Sequence, residues 1–354
     1  MKRKNLIARR KAKKNFLSVK DSKIKPYKKF EEFALKNVKK KSFAIAVSGG
    51  ADSLCLSYFS KLYSKKFKNK IHVLIVNHNI RKESNIEALE VKKILLKKKI
   101  KCKILVWKGK VPKSNIQGIA RNLRYQLLAN YCSQKKIKYL MTAHHKDDQV
   151  ENFYIRLLRG SGVTGLSSMS EIINYNKNLK ILRPLLSIKK DVLQNITLNY
   201  FGTFITDPSN ENKKFLRVRI RQFRKDMEKE GFDDSKIVKT IDNLLSAKKA
   251  IDFYKDKALY RHVTFLSKNN CVVNAKIFSE ESNEIIFKSF SDIISLISGT
   301  YYPPRSAKVI NLINRIKKMK YNKSTLGGCI IEKKEDFISI SKEEKSELPI
   351  SVGK

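Results

Sequence analysis

The chain has 354 residues, long enough for two domains, and 42% of them are hydrophobic, enough to fill sizeable cores. Lys and Arg number 77 against 32 Asp and Glu, a formal net charge of +45 that exceeds what solubility needs and points to a polyanionic partner, RNA or DNA first, although heavy use of Lys, Ile and Asn accounts for part of it. No apolar run approaches the roughly 18 residues of a membrane span, and Cys55, Cys102, Cys132, Cys271 and Cys329 form no CxxC pair, which argues against a zinc ribbon or iron–sulfur site and for reduced thiols in a cytoplasmic protein.

In chain order, residues 1–25 read as a basic tail without the apolar segment of a secretory signal. Strands are then predicted over 43–47, 71–76, 103–107 and 139–143, with helices over 52–64, 84–99, 116–135 and 147–159 between and after them. This order predicts an α/β fold, a doubly wound parallel sheet whose ligands sit at the C-terminal ends of its strands. A domain of residues 26–215 is expected to end near 215. A charged helical linker over 216–260 and a smaller helical or α+β domain over 261–345 follow, with a helix at 306–319 and turns at Pro303-Pro304 and Gly327-Gly328.

The loops after the predicted strands carry the unusual residues. The first is Ser48-Gly49-Gly50-Ala51-Asp52-Ser53, at a strand-to-helix turn. Two glycines let the backbone approach a ligand closely, and the N–H groups and dipole of the helix start favour an anion. Ser48 and Ser53 add hydroxyl donors. Asp52 makes sense beside a phosphate if it helps hold Mg²⁺; a plain turn with an N-capping aspartate is the simpler reading. The turn is neither GxxxxGK[ST] nor GxGxxG.

After the second strand comes Asn77-His78-Asn79-Ile80-Arg81, suited to adenine or phosphate or to an ordinary surface loop. After the third, Arg121 and Arg124 are three apart on one helix and present two guanidinium forks to a phosphate or carboxylate. The fourth loop, Thr142-Ala143-His144-His145-Lys146-Asp147-Asp148-Gln149-Val150-Glu151-Asn152, is the densest polar cluster. The spacing puts His144, Asp148 and Glu151 on one helix face, where two carboxylates suit an ammonium group or a metal. Arg159 to Leu166 is glycine-rich, Arg183-Pro184-Leu185-Leu186 follows, and Asp207-Pro208-Ser209-Asn210 precedes Arg217, Arg219 and Arg221, a basic stripe suited to RNA phosphates.

The SGGADS string resembles the pyrophosphate loop of the N-type ATP pyrophosphatases, the PP-loop superfamily. The ordered set SGGADS, NHxxR, IQGIARNLRY, TAHHKDDQVEN, RGSGVTGL, RPLL and DPSN…RVRIR, over about residues 43–221, resembles the tRNA(Ile)-lysidine synthase family. GTYYPPR (299–305) and TLGGC (325–329) resemble the tRNA-binding domain that follows in some members. Asn77 stands where the family often has Asp, Asn152 where it usually has Thr, and Val218 where an Asn commonly follows the arginine. Longer members carry a further C-terminal domain, before which this chain is expected to stop.

The resemblance implies ligation of free L-lysine to the wobble cytidine of a tRNA(Ile) with a CAU anticodon, by way of an adenylated cytidine, with ATP converted to AMP and pyrophosphate and Mg²⁺ as cofactor. It implies ATP binding by Ser48, Gly49, Gly50, Ala51, Asp52, Ser53 and His78, and lysine binding by Asp148, Glu151 and Arg121. Asp52, Asp148, Arg121 and His144 are the expected catalytic group, and Arg217, Arg219, Arg221 and Arg305 the expected tRNA contacts. A homodimer is left open. A tRNA 2-thiolation enzyme of the same fold is the alternative, disfavoured by the lack of CxxC. A non-catalytic RNA-binding protein is another, disfavoured by the intact Asp52, Asp148 and Glu151.

Overall fold

The computed structural model describes residues 24–79, 83–109, 116–206, 216–300, 303–318 and 321–343. The sequence readings at Arg81, Asn115, Asp207–Asn210, Tyr301-Tyr302 and Lys320, and of the basic tail up to residue 23, lie outside the described residues. The chain divides into two compact units, 1–242 and 243–354.

The first unit opens with α1 (Lys25–Asn37), which has a proline in its first turn and buries Tyr27, Phe30 and Ala34 at helical spacing. Then come β1 (Phe43–Ala46), α2 (Ala51–Phe67), β2 (Ile71–Asn77), α3 (Ser84–Lys97), β3 (Cys102–Val106), α4 (Ile116–Gln134), β4 (Tyr139–Met141), α5 (Lys146–Leu157) and the short α6 (Val163–Leu166). A hairpin of β5 (Ile172–Asn176) and β6 (Leu179–Leu182), then α7 (Lys190–Phe201), α8 (Leu216–Lys229) and the start of α9 (Asp234–His262) complete it.

The sheet order is β3-β2-β1-β4-β6-β5. Every neighbouring pair is parallel except β5 with β6. The expected doubly wound sheet is therefore present, with an antiparallel edge hairpin added. β1 is buried almost throughout, as a central strand covered on both faces must be. The chain winds outward through β2 and β3, then crosses back so that β4 pairs with β1, Ala44 opposite Leu140 and Ile45 opposite Met141. The loops after β1 and β4 thus leave the same sheet edge side by side, at the switch point where such sheets open a crevice.

The second unit contains the rest of α9, β7 (Val263–Ser267), β8 (Asn270–Asn274), α10 (Ile277–Glu280), α11 (Asn283–Ser298), α12 (Ser306–Ile316), β9 (Lys323–Leu326), β10 (Cys329–Lys334) and β11 (Phe337–Lys342). Its antiparallel sheet has the order β7-β8-β11-β10-β9. Inward residues of β8, β10 and β11 pack with Phe290, Ile293 and Ile294 of α11 and Val309, Leu312 and Ile316 of α12. The β9–β10 hairpin turns at Gly327 and Gly328, with φ of 62° and 80°, values that a two-residue hairpin turn requires and glycine adopts freely. Among the described residues no helix is long and apolar enough to cross a membrane.

Candidate active site

The turn after β1 is held on several sides. Gly49 has φ of 88°, and a Cβ there would lie 2.5 Å from Val91 of α3, so only glycine fits. Its carbonyl accepts a hydrogen bond from the N–H of Ile205 at 2.9 Å. The fully buried Thr197 of α7 donates its hydroxyl to the Ala51 carbonyl at 2.7 Å. Ser53 Oγ accepts from the Ser48 N–H at 3.1 Å and donates to the Gly50 carbonyl at 3.0 Å, closing the turn on itself. The first N–H groups of α2 have no partner within the helix and point out of its N-terminus.

Asp52, in the first turn of α2, faces the loop after β4. Its Oδ2 lies 3.5 Å from Nε2 of His145, and its Oδ1 is buried without a hydrogen-bond partner. His145 is itself buried and caps α5. Its Nδ1 accepts from the Asp148 N–H at 3.4 Å, while the Asp148 carboxylate accepts from the His145 N–H at 3.2 Å. That reciprocal pair is a capping box with a histidine in the capping position. Asp148 Oδ2 also lies 3.5 Å from His145 Nε2, so one imidazole edge is shared by Asp52 and Asp148. Burial lowers the His145 pKa, but the hydrogen bond to Asp52 and the charges of Asp148, Asp52 and Asp147 outweigh it, and the net shift is upward. Burial alone would raise the pKa of Asp148; His145, His144 and Arg217 reverse this and hold it below the usual carboxylate range.

His144 takes a different position. Its Nδ1 is 3.0 Å from the Thr142 hydroxyl. Burial, with the nearby charges of Arg183, Arg121 and Arg217, overcomes the pull of Asp148 and brings its pKa down to about 3. His144 is therefore neutral at ordinary pH. Arg121 is exposed on α4, its guanidinium 5.7 Å from the centre of the Tyr125 ring. After β2, His78 Nε2 accepts from Arg124 Nε at 3.4 Å, and burial with the Arg124 charge lowers the His78 pKa to about 4. Asn77 holds that loop by accepting from the Asn79 N–H at 2.8 Å and donating to Asn85.

Glu151, one turn after Asp148, points away from this edge and toward α8. Only 1% of it is exposed. Arg221 grips both of its oxygens at 2.6 and 3.2 Å, and Arg217 and Arg224 stand at 3.8 and 3.7 Å. Arg224 also bonds Asp147 at 3.2 Å and pairs with Asp234. The Asp147 carboxylate in turn accepts the N–H of Lys190 at the start of α7, at 2.9 Å. Of the basic stripe, then, Arg217 and Arg221 face a carboxylate and Arg219 is exposed. Arg305, in the second unit, is exposed at the start of α12, whose polar side also shows Lys308, Arg315, Lys317 and Lys318.

Four residues of this network were not singled out from sequence: His145, Asp147, Arg224 and Asp234. The spacing held a signal for two of them. Asp147 and Glu151 are i,i+4 on α5, and Arg217, Arg221 and Arg224 recur at i, i+4 and i+7 on α8, so each set shares one helix face. His145 carried no such signal, because its role follows from the strand order that sets it against Asp52. Among the described residues no group of three or more His, Cys, Asp or Glu side chains forms a ready metal cage.

Residues 23–225 match the PP-loop domain family. The chain is 35% identical to the tRNA(Ile)-lysidine synthase of Orientia tsutsugamushi (strain Boryong), over 85% of this chain and 69% of that protein. It is 34% identical to the tRNA(Ile)-lysidine synthase of Wolbachia pipientis wMel, over 88% of this chain and 72% of that one. Among solved structures, a U34-tRNA thiolase from Methanococcus maripaludis, with its 4Fe–4S cluster, superposes with a TM-score of 0.53 at 21% identity. That match covers 62% of this chain and 78% of the thiolase, and it shows a shared fold. The likeness to these relatives extends beyond the first unit into the second, and they carry one enzyme name, so the chain belongs to the tRNA(Ile)-lysidine synthase family, ligases built on a PP-loop domain.

Proposed function

We propose that the protein uses ATP to join free L-lysine to the wobble cytidine of a tRNA(Ile) bearing a CAU anticodon. The observation that carries this reading is the shared edge of His145, which sets Asp52 of the β1–α2 turn against Asp148 of the next loop. On this reading a phosphate site and an ammonium site are neighbours, as two successive transfers at one base require.

In the first step O2 of the cytosine attacks the α-phosphorus of ATP. The bond from that phosphorus to the oxygen bridging the β-phosphate breaks, and its electron pair leaves with pyrophosphate. Ser48, Gly49, Gly50, Ala51 and Ser53 line the β- and γ-phosphates, with the N–H groups of α2 directed at them, and His78 faces the nucleotide from the loop after β2. The unpartnered Asp52 Oδ1 is a fitting hard oxygen donor and would hold a Mg²⁺ there. When bound, that ion neutralises phosphate charge.

In the second step the lysine ε-amine attacks C2, the bond from C2 to the AMP oxygen breaks, and the amine proton passes to solvent. Asp148, ionised and partly open, receives an ammonium group of lysine, and Arg121 receives its carboxylate. Glu151 joins Asp148 in that role only by releasing Arg221. His144, neutral at the same edge, adds no positive charge beside that ammonium group. The exposed Arg219 and Arg305 contact tRNA phosphates.

Sulfur transfer on the same fold has less support. Burial raises the pKa of all five cysteines, Cys132 and Cys271 to about 12, which keeps them as thiols rather than the nucleophilic thiolate. Incubation of a CAU-anticodon tRNA with the protein, ATP and isotope-labelled lysine, followed by nucleoside mass spectrometry, tests the reading. Labelled lysidine, with AMP and pyrophosphate released in step with it, is expected. Nucleotide turnover with no label in the nucleoside overturns the lysine assignment.

A further inference from the structure

We propose that the exposed face of α9 over residues 249–261 is a stacking surface for unpaired bases of the tRNA, an inference that rests on tRNA being the substrate. The residues concerned are Lys249, Phe253, Tyr254, Lys257, Tyr260 and Arg261. Lys249, Phe253, Lys257 and Arg261 recur every four residues, so they form one line along the helix, with Tyr254 and Tyr260 on either side of it.

The opposite face of this segment is the one that packs. Ala258 and His262 are buried, and Lys255 is tied to Asp292 of α11 at 2.7 Å. The aromatic rings are therefore not on the face that builds the core. Phe253 is 56% exposed, Tyr254 58% and Tyr260 94%. A single exposed aromatic needs no explanation; three within eight residues, on one face and threaded with cations, form a patch with a chemistry of its own.

That chemistry selects the occupant. A partner meeting only the rings would be apolar, but the same line carries Lys249, Lys257 and Arg261. The face already holds a cation against a ring, with Lys257 Nζ 4.7 Å from the centre of Phe253. Rings interleaved with Lys and Arg fit a strand whose bases stack while its phosphates pair, and this stacking tolerates any base because each has a π-face. Two acidic groups stand at the margin, Asp252 and Asp256; Asp256 is paired with Lys255 at 2.9 Å, and Arg261 spends part of its charge on Glu281 at 3.3 Å. With Lys249, Lys257 and Arg261 against Asp252 and Asp256, the face keeps a positive balance.

Binding of a CAU-anticodon tRNA, measured by fluorescence anisotropy at low and high salt, tests this, with the combined Phe253→Ala/Tyr254→Ala/Tyr260→Ala protein beside wild type. An unchanged melting temperature identifies a folded variant. The expected result is Kd weakened about tenfold or more, by a similar factor at both salts, since each stacked base contributes about fivefold or more. Lys249→Gln/Lys257→Gln/Arg261→Gln should instead weaken binding mainly at low salt and flatten the salt slope by about 0.7 to 0.9 per lost contact. Tyr254→Phe/Tyr260→Phe, which keeps both rings, should retain most of the affinity, and ultraviolet crosslinks to the tRNA should map to the peptide holding residues 253–260. Wild type that binds and modifies tRNA while the alanine variant matches its Kd overturns the stacking surface alone. Wild type that binds no tRNA overturns the functional reading with it. Loss of a dimer by sedimentation in the alanine variant, with Kd unchanged, overturns it in favour of a contact between copies of this chain.

Discussion

Asp52 and Asp148 meet on one edge of His145, and that meeting sets what each side chain can do. Asp52→Asn keeps the shape and removes the charge from the oxygen that has no hydrogen-bond partner. Pyrophosphate release is expected to fall at least a hundredfold at an unchanged melting temperature, and near-normal release from folded protein would remove Asp52 from the phosphate site. Glu151→Gln tests another balance. Its carboxylate is buried against Arg221, so the variant leaves a guanidinium without its counter-charge, at a cost of about 1–3 kcal/mol after discounting for the partial exposure of Arg221. Calorimetry should show that loss together with a raised KM for lysine; a raised KM at full stability would mean that Arg221 does not depend on Glu151. His144 gives a pH signature. Its pKa is about 3 in the folded chain and about 6.5 when unfolded. A depressed folded pKa means that the unfolded chain binds the proton first, so the stabilisation present above about pH 6.5 is lost as pH falls toward 3. His144→Gln should flatten the fall in melting temperature over that window, and the wild-type lysine-transfer rate should show no inflection near 6.5. The sequence exposed which residue types gather here, because SGGADS and TAHHKDDQVEN are dense and ordered. It did not expose that His145, and not His144, touches Asp52, because that contact exists only once β1 and β4 are neighbours.

At the scale of elements, the β1–α2 turn is held by segments far away in the chain: α3 through Val91, α7 through Thr197, and the stretch after α7 through Ile205. Gly49→Ala would force a Cβ against Val91 at a φ of 88°, conflicting with both space and backbone preference. The expected outcome is an ATP affinity at least tenfold weaker by calorimetry, with the loss concentrated in the turn; unchanged affinity would show that the turn tolerates a different path. The strands that carry the site were legible in sequence because short, mostly apolar runs, bounded by polar residues such as Ser48, Asn77, Lys108 and His144, repeat between helical stretches. Their ends shifted by only one or two residues. The β5–β6 hairpin was not legible. Its strand Ile172–Asn176 alternates weakly and lies on a sheet edge, where one row of backbone groups is unpaired and little in the sequence must be apolar. The inward turn of Arg217 and Arg221 was also hidden, since an arginine on a helix reads as a solvated or phosphate-binding charge until a buried carboxylate is found opposite it.

At the scale of the whole molecule, the residues that handle the small substrates lie in one unit, while exposed basic and aromatic surface extends into the other. Every residue given a role in ATP or lysine handling lies in the first unit, residues 1–242, and the helices α8 and α9 that close it include Arg224 and its partner Asp234. A chain cut near residue 222 would break α8 and leave Glu151 and Asp147 without Arg224, so loss of activity there would report damage to the site. A chain ended at Asp242 keeps that network whole. It lacks the basic side of α12, with Arg305, Lys308, Arg315, Lys317 and Lys318, and the aromatic face of α9. Contacts of that kind position an RNA without touching the reacting base. Binding energy realised far from the reacting atoms aligns those atoms, so its removal lowers kcat/KM for the macromolecular substrate while the small substrate still binds. The chain ended at Asp242 is therefore expected to hold ATP within about twofold of full-length affinity by calorimetry, and to lose at least a hundredfold in kcat/KM for tRNA. Its tRNA binding should also depend less steeply on salt, because fewer condensed counterions are released when fewer phosphates are contacted. If a folded chain of this length modifies tRNA at the full-length rate, the second unit has no part in positioning the RNA, and the charge on α12 must be assigned to something other than the substrate.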